Sequence, residues 1–314
     1  MQKGKFQIVY MGTPDFAVPA LEVLAKAGHD IPLVITQPDR PRGRGKKPAP
    51  PPVKTAARNL GLTVRQPEKI NTPDLKKELE DVSPDLFIVA AFGQILTREI
   101  LDIPALYPIN IHASLLPRYR GASPIQAAIL NMENETGITT MVMEEKLDAG
   151  DILMTSKIPI EPEDTAGTLH DRLARAGADL IVETLDALSQ GTLTPVPQND
   201  KEATFTRLLK KSDGKIDWRK NADEICAHIR AMNPWPGAFT YLDDRMIKVF
   251  RARAARENSG ASPGTVTELD RDGIRVAAKE NSVDILELMG KSGKHLDAYA
   301  FLRGSALEKG MVFH

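Results

Sequence analysis

The sequence predicts an α/β fold: a Rossmann-like, mainly parallel sheet with helices on both faces, followed by a smaller C-terminal β-barrel that is OB-like. Two observations carry that prediction. Up to about residue 190, apolar runs of strand length alternate with amphipathic stretches, the pattern of strand–helix repeats around a sheet covered on both sides. Beyond Gly191 the texture changes to short strands separated by turn residues, as in a small barrel. A chain of 314 residues has room for one large or two moderate domains. The expected division is a first domain over 1–190, a linker over 191–207 and a second domain over 208–314.

Taken in order, Phe6–Met11 is a mostly apolar run that reads as a buried strand. Gly12-Thr13-Pro14-Asp15 then turns the chain into a helix that ends at Gly28. Thr13 is placed to cap that helix, with Pro14 at its first position, where a missing N–H costs nothing. Ile31–Thr36 is a second strand, and Thr63–Arg65 is a weaker one after a short helix. Asp85–Ala91 is a buried strand that follows a helix over Thr72–Asp81. Tyr107–His112 is another strand, Ala122–Asn131 a helix, and Gly137–Met143 and Ile152–Ile160 two further strands. Leu169, Leu173, Ala176, Leu180 and Leu188 share one face of a helix over Thr165–Leu188. Thr192–Asp200, with two prolines and little periodicity, suits a linker. A helix near Asp223–Met232 precedes strands at Ala238–Leu242, Met246–Ala252, Gly264–Glu268, Gly273–Ala278 and Ser282–Leu288. The proline run Pro48-Ala49-Pro50-Pro51-Pro52 reads as a stiff spacer.

Composition narrows the function classes. The hydrophobic fraction of 42% and charged fraction of 26% are those of an ordinary folded protein. Net charge is −1, so the whole molecule is not a polycation. Positions 1–200 hold 21 basic and 26 acidic residues and positions 201–314 hold 20 and 16, so the later part is mildly basic. A lone cysteine, Cys226, excludes an internal disulfide and a cysteine-rich zinc site. Its helical spacing with Ile229 and Met232 places it in a core. His170 and His228 fall in predicted helices without metal-ligand spacing, and no metal site is expected. With no apolar run long enough for a membrane span and no signal-peptide core, a cytoplasmic location is expected. No coiled coil or symmetric patch demands a dimer, so a monomer is expected.

In an open α/β sheet, ligands bind beyond the C-terminal ends of the strands. The strand Tyr107–His112 therefore aims its end at the site, and alternation puts Asn110 and His112 on the same face. A second polar loop, Leu147-Asp148-Ala149-Gly150-Asp151, lies between two strands. Together they supply an amide donor, a titratable imidazole and a carboxylate that orients it. Spacing alone leaves open the reading of His112 as a structural residue.

The run Asn110-Ile111-His112-Ala113-Ser114-Leu115-Leu116-Pro117-Arg118-Tyr119-Arg120-Gly121, with Leu147-Asp148-Ala149-Gly150-Asp151 downstream, closely resembles the folate-dependent formyltransferase family. Gly12-Thr13-Pro14-Asp15-Phe16, the loop Gln37–Lys47 and Asn233-Pro234-Trp235-Pro236 extend the likeness across both predicted domains, toward the branch that acts on charged initiator tRNA. The resemblance implies that the formyl group of 10-formyltetrahydrofolate passes to the α-amino group of methionine on that tRNA. It makes Asn110, His112 and Asp148 the catalytic set. Asn110 and an imidazolium at His112 would donate to the oxyanion, while Asp148 holds His112, favours its charged form and helps relay the proton. It assigns Ser114, Leu115, Leu116 and Pro117 to the folate pocket.

Arg40–Lys47 holds five basic residues in eight, punctuated by Pro41, Gly43 and Gly45. Read alone, it is a solvated surface loop. The resemblance makes Arg40, Arg42, Arg44, Lys46 and Lys47 a finger for the tRNA acceptor end, with guanidinium groups that both pair and stack. Lys210, Lys211, Lys248, Arg251 and Arg253 are candidates for a second electrostatic contact, and Trp235 between its prolines is expected to be packed. Four competitors have to be weighed. A formyltransferase of amino sugar nucleotides shares the Asn/His/Asp set but does not call for the basic loop. A purine-pathway formyltransferase leaves the C-terminal part without a purpose. A nucleotide-dependent oxidoreductase would need the glycine fingerprint that Gly12-Thr13-Pro14 lacks. A non-catalytic tRNA-binding module would not need the Asn/His/Asp set.

Overall fold

β1 (Gln7–Gly12) buries Ile8, Val9, Tyr10 and Met11 completely, so neither of its faces meets water. A strand without a polar face has to be covered twice. The computed structural model describes residues 4–42, 47–291 and 293–314. After β1 come α1 (Val18–Lys26), β2 (Asp30–Ile35), β3 (Arg40–Arg42), β4 (Lys47–Ala49), α2 (Pro52–Asn59) and β5 (Val64–Arg65). α3 (Pro73–Val82), β6 (Leu86–Ala90), α4 (Arg98–Leu101), β7 (Tyr107–His112) and β8 (Arg120–Gly121) follow. The series continues with α5 (Pro124–Leu130), β9 (Glu135–Val142), β10 (Ile152–Pro159), α6 (Ala166–Ser189) and β11 (Phe205–Thr206).

Seven strands form one sheet in the order β10-β9-β7-β6-β1-β2-β5. It is parallel from β5 to β7, and β9 runs antiparallel to both of its neighbours. On one face Val9, Met11, Leu33, Ile35, Phe87 and Val89 pack with Leu75 and Leu79 of α3 and Ile100 and Leu101 of α4. On the other, α6 approaches so closely that a Cβ at Gly177 would stand 2.9 Å from Ile111 Cγ2. Thr72 caps α3 by accepting from Leu75 N–H, with Pro73 at the first helical position, an arrangement worth about 1 kcal/mol.

Three details differ from the sequence reading. Thr13 does not cap the first helix: Pro14 precedes a short 3₁₀ turn at Asp15–Ala17 before α1 begins. The Thr13 hydroxyl instead donates to Phe92 O at 2.9 Å, tying the loop after β1 to the loop after β6. The proline run is not the stiff spacer expected either. Pro48 and Ala49 belong to β4, and Pro52 opens α2, where its missing N–H goes unused. β3 and β4 form a hairpin that alternation did not reveal, because Pro41 and Pro48 break the pattern.

The described residues up to Pro124, with Glu135–Pro159 and His170–Thr206, form one compact unit. Ile125–Asn134, Ile160–Leu169 and Arg207–His314 form the second. The second contains α7 (Ala222–Ala231), β12 (Ala238–Leu242), β13 (Arg245–Ala255), β14 (Val266–Leu269), β15 (Ile274–Ala277), β16 (Ser282–Met289), β17 (Leu296–Asp297) and α8 (Ala298–Leu302). Its antiparallel sheet runs β12-β13-β16-β15-β14, with β17 also on β16. The last residues close it. Tyr241 and His314 exchange both backbone hydrogen bonds, while Phe313 N donates to Gly264 O and Val266 N to Met311 O. Both edges are thereby removed, which is how a barrel protects itself from further strand pairing. Gly264 has to be glycine: its φ is +90°, and a Cβ would lie 2.4 Å from Phe313 O. Inside, Trp218 stacks on Phe313 with centroids 6.0 Å apart and donates to Thr240 Oγ1 at 2.9 Å.

Candidate active site

β7 pairs Ile109 with Ile88 and Asn110 with Val89, so Asn110 and His112 point to the face of Val89 while Ile109 and Ile111 face α6. The loop after β9 brings Asp148 to them. Asn110 Nδ2 lies 3.4 Å from Asp148 Oδ1, and His112 Nδ1 lies 3.6 Å from Asp148 Oδ2. The three predicted catalytic residues are therefore together. His112 is 6% exposed, so the imidazole sits in a largely dry setting. Its Nε2 is 3.0 Å from Tyr119 O. A carbonyl oxygen only accepts, so Nε2 is the donor there and Nδ1 is left facing the carboxylate.

Asp148 is held at both ends. Gly121 N–H donates to Oδ2 at 2.7 Å, and the Gln198 amide donates to Asp148 O at 2.9 Å and to Gly150 O at 2.7 Å. Gln198 Oε1 accepts from Arg120 Nε at 3.0 Å, and Arg120 Nη2 reaches Asp200 at 2.8 Å. Arg120 is only 4% exposed. β8 and β11 pair in parallel and bring this part of the chain up to the site. Neither Gln198 nor Arg120 was read as functional from sequence. Gln198 stands fifty positions after Asp148, and no local pattern links them.

The predicted folate residues form the turn after β7. Ser114 is fully buried and donates to Arg118 O at 2.7 Å, so its hydroxyl shapes the turn. Thr139 Oγ1 accepts from Leu116 N and donates to Ser114 O, locking the same turn to β9. Leu116 is buried, whereas Leu115 and Pro117 are half-buried and reachable.

The basic loop begins at the same sheet edge, where Gln37 Nε2 donates to Phe92 O beside the end of β6. Its root is fixed by Asp39, which accepts from Lys54 Nζ at 2.7 and 2.8 Å and from Gln66 Nε2 at 2.7 Å. These bonds from Lys54 and Gln66 hold the Asp39 carboxyl below its usual range. Arg40 pairs with Glu68 at 3.1 Å on the surface. Arg42 and Lys47 are opposed in the β3–β4 hairpin. Arg44 and Lys46 lie outside the described residues. In the second unit, Arg251 pairs with Glu287 and Arg253 with Asp284. Trp235, expected to pack, is 49% exposed.

The family model for formyl transferase matches residues 5–185, and that for the formyl transferase C-terminal domain matches residues 208–306. The chain belongs to the formyl transferase family. The family uses 10-formyltetrahydrofolate as its formyl donor. A methionyl-tRNA formyltransferase from Citrifermentans bemidjiense is 48% identical over 304 residues, 97% of this chain and 95% of that protein. One from Geotalea uraniireducens is 45% identical over 306 residues, 98% of this chain and 97% of that protein. The N-formyltransferase from Helicobacter canadensis, solved with folinic acid and dTDP-3-aminofucose, shares the fold with a TM-score of 0.68. It is 21% identical and covers 90% of this chain and 99% of its own.

Proposed function

We propose that this formyl transferase moves the formyl group of 10-formyltetrahydrofolate to the α-amino group of methionine on initiator tRNA. The observation that carries the reading is the convergence of Asn110, His112 and Asp148 at the end of β7, in a chain that aligns over nearly its full length with methionyl-tRNA formyltransferases. The likeness to the sugar-acting enzyme extends to the fold alone.

Each residue has a task. Attack by the amine puts negative charge on the formyl oxygen, and the Asn110 amide donates to it. His112 Nδ1 faces the site because Nε2 is tied to Tyr119 O, so Nδ1 takes the amine proton and returns it to the departing folate nitrogen. The Asp148 carboxylate beside Nδ1 stabilises the imidazolium between those two transfers. Leu115 and Pro117 contact the folate, on a turn whose shape Ser114 and Leu116 maintain. The basic segment with Arg40, Arg42, Arg44, Lys46 and Lys47 grips the acceptor end. Among the described residues no helix is long and apolar enough to cross a membrane, and the reading places the protein in the cytoplasm with its RNA substrate.

The deciding experiment incubates the protein with 10-formyltetrahydrofolate and methionyl initiator tRNA, free methionine or an amino sugar nucleotide. Formyl-methionine on the tRNA, with neither small acceptor modified, is the expected result. Formylation of the sugar nucleotide without formylation of the tRNA would overturn the reading.

A further inference from the structure

We infer that Gln198 is the positioning residue of Asp148 and that Arg120 fixes the orientation in which it acts; the inference rests on the role proposed above for Asp148. Asp148 has a φ of +49°, the left-handed region that few side-chain-bearing residues occupy without outside support. In that conformation the carbonyls of Asp148 and Gly150 both reach the Gln198 Nε2, at 2.9 and 2.7 Å. One NH2 group has two hydrogens, and here each has its own acceptor. A small rotation of this turn would swing the carboxylate away from His112 Nδ1.

Gln198 has a choice of two amide orientations, and Arg120 removes it. The guanidinium donates from Nε to Gln198 Oε1 at 3.0 Å. A flipped amide would set its NH2 against the Arg120 N–H and its oxygen against two carbonyl oxygens, reversing all three contacts. Arg120 is held in turn by Asp200 through Nη2, and by backbone bonds from its N–H to Thr204 O and from Thr206 Oγ1 to its carbonyl. The next residue, Gly121, gives its N–H to the Asp148 carboxylate. One short strand therefore fixes both the backbone and the side chain of Asp148. Gly121 also suits this place for steric reasons: its φ is +102°, and a Cβ would lie 2.5 Å from Thr206 O.

The test uses the full chain in the tRNA formylation assay, with Gln198→Met, Gln198→Glu and Asp148→Asn alone and in combination. Gln198→Met keeps the volume and loses all three bonds. Gln198→Glu still accepts from Arg120 but turns an acceptor toward two carbonyls, so it carries the test even where Gln198→Met fails to fold. Each Gln198 variant is expected to lower kcat on the order of 10²-fold, the cost of misplacing a reacting group by about 1 Å. KM for both substrates is expected to stay within about twofold, because the Gln198 amide is engaged by Arg120, Asp148 O and Gly150 O. In the Asp148→Asn background, Gln198→Glu is expected to cost no further rate, since the two residues act as one unit. A wild-type kcat in Gln198→Glu, a rise in KM with kcat unchanged, or losses that add in the double variant would each overturn the positioning role. Wild-type turnover in Asp148→Asn would instead overturn the reading of Asp148 on which the inference rests.

Discussion

His112 is nearly buried, yet its two ring nitrogens engage only a backbone carbonyl and a carboxylate 3.6 Å away. Removing a buried ring and its bond to Tyr119 O is expected to cost some stability, and His112→Ala is expected to lose on the order of 10²- to 10⁴-fold in kcat, the range for removing a general acid–base. Thermal unfolding measured beside turnover separates the two effects, and wild-type turnover in a folded variant would remove His112 from the mechanism. Cys226 makes the opposite prediction. It is 5% exposed, and burial pushes its thiol up to about 12, so almost no thiolate exists near pH 8. A thiol reagent is expected to leave the native chain unlabelled and to take up one equivalent in urea. Rapid native labelling would contradict the burial of α7. At this scale the sequence was informative where a side chain announces its own chemistry. Asn110 and His112 lie at the end of β7 and Asp148 in the loop between β9 and β10, residue types suited to a site, and the family resemblance makes them the candidate set. Gln198 does not stand out, because its role is to satisfy backbone carbonyls fifty residues away, and backbone geometry leaves no mark on residue type.

At the scale of elements, strands with strong apolar character were legible almost to the residue: Tyr107–His112 and Ala238–Leu242 coincide with β7 and β12. What escaped were elements made by pairing alone. The β3–β4 hairpin is rich in proline and charge, and β8 and β11 are two residues each, stable only because they lie together. Within the barrel, β13, β15 and β16 are also joined by charge. Asp284, itself nearly buried on β16, accepts from Arg275 on β15 and from Arg253 on β13. Burial alone would raise its pKa, but the two guanidinium groups outweigh burial and hold it below the usual carboxylate value. A folded value below the unfolded one means that ionised Asp284 stabilises the barrel above 3.8, and that this contribution is lost as pH falls through the lower folded value. Asp284→Ala is expected to cost about 1–3 kcal/mol at pH 7, the scale of charge-assisted hydrogen bonds partly exposed to solvent. Urea unfolding at successive pH values is expected to show the deficit shrinking in acid. An equal deficit at pH 7 and pH 2 would assign the loss to packing.

For the whole molecule, the change of texture near Gly191 correctly announced a second kind of structure, an antiparallel sheet after a parallel one. Periodicity could not show which residues of the first half keep company with it. Ile125–Asn134 and Ile160–Leu169 belong to the same compact unit as Arg207–His314. The link is concrete at Gly167, whose N–H donates to Asn233 O at 3.1 Å, and where a Cβ would stand 2.9 Å from Pro234 Cδ. Ile125, Ala128, Ile129, Ala166 and Leu169 are all buried in the intact chain. A chain cut after Thr206 keeps the β8–β11 pair, Gln198 and the three catalytic candidates, so its reaction centre is complete on paper. It nevertheless removes Asn233 and Pro234, and so leaves Gly167 N–H without its acceptor. Losing that hydrogen bond costs about 1 kcal/mol. For a fragment of this size the midpoint of unfolding should then fall by at least about 2–4 °C. The fragment is also expected to bind a hydrophobic dye, and the fragment over 207–314, which lacks two segments of its own unit, to do the same. Mixing the two is expected to leave both deficient, because 125–134 and 160–169 are held by a chain that has to fold around them as it forms the parallel sheet. A fragment ending at Thr206 that melts with the full chain and binds no dye would show that α5 and the first turn of α6 stand without the C-terminal unit.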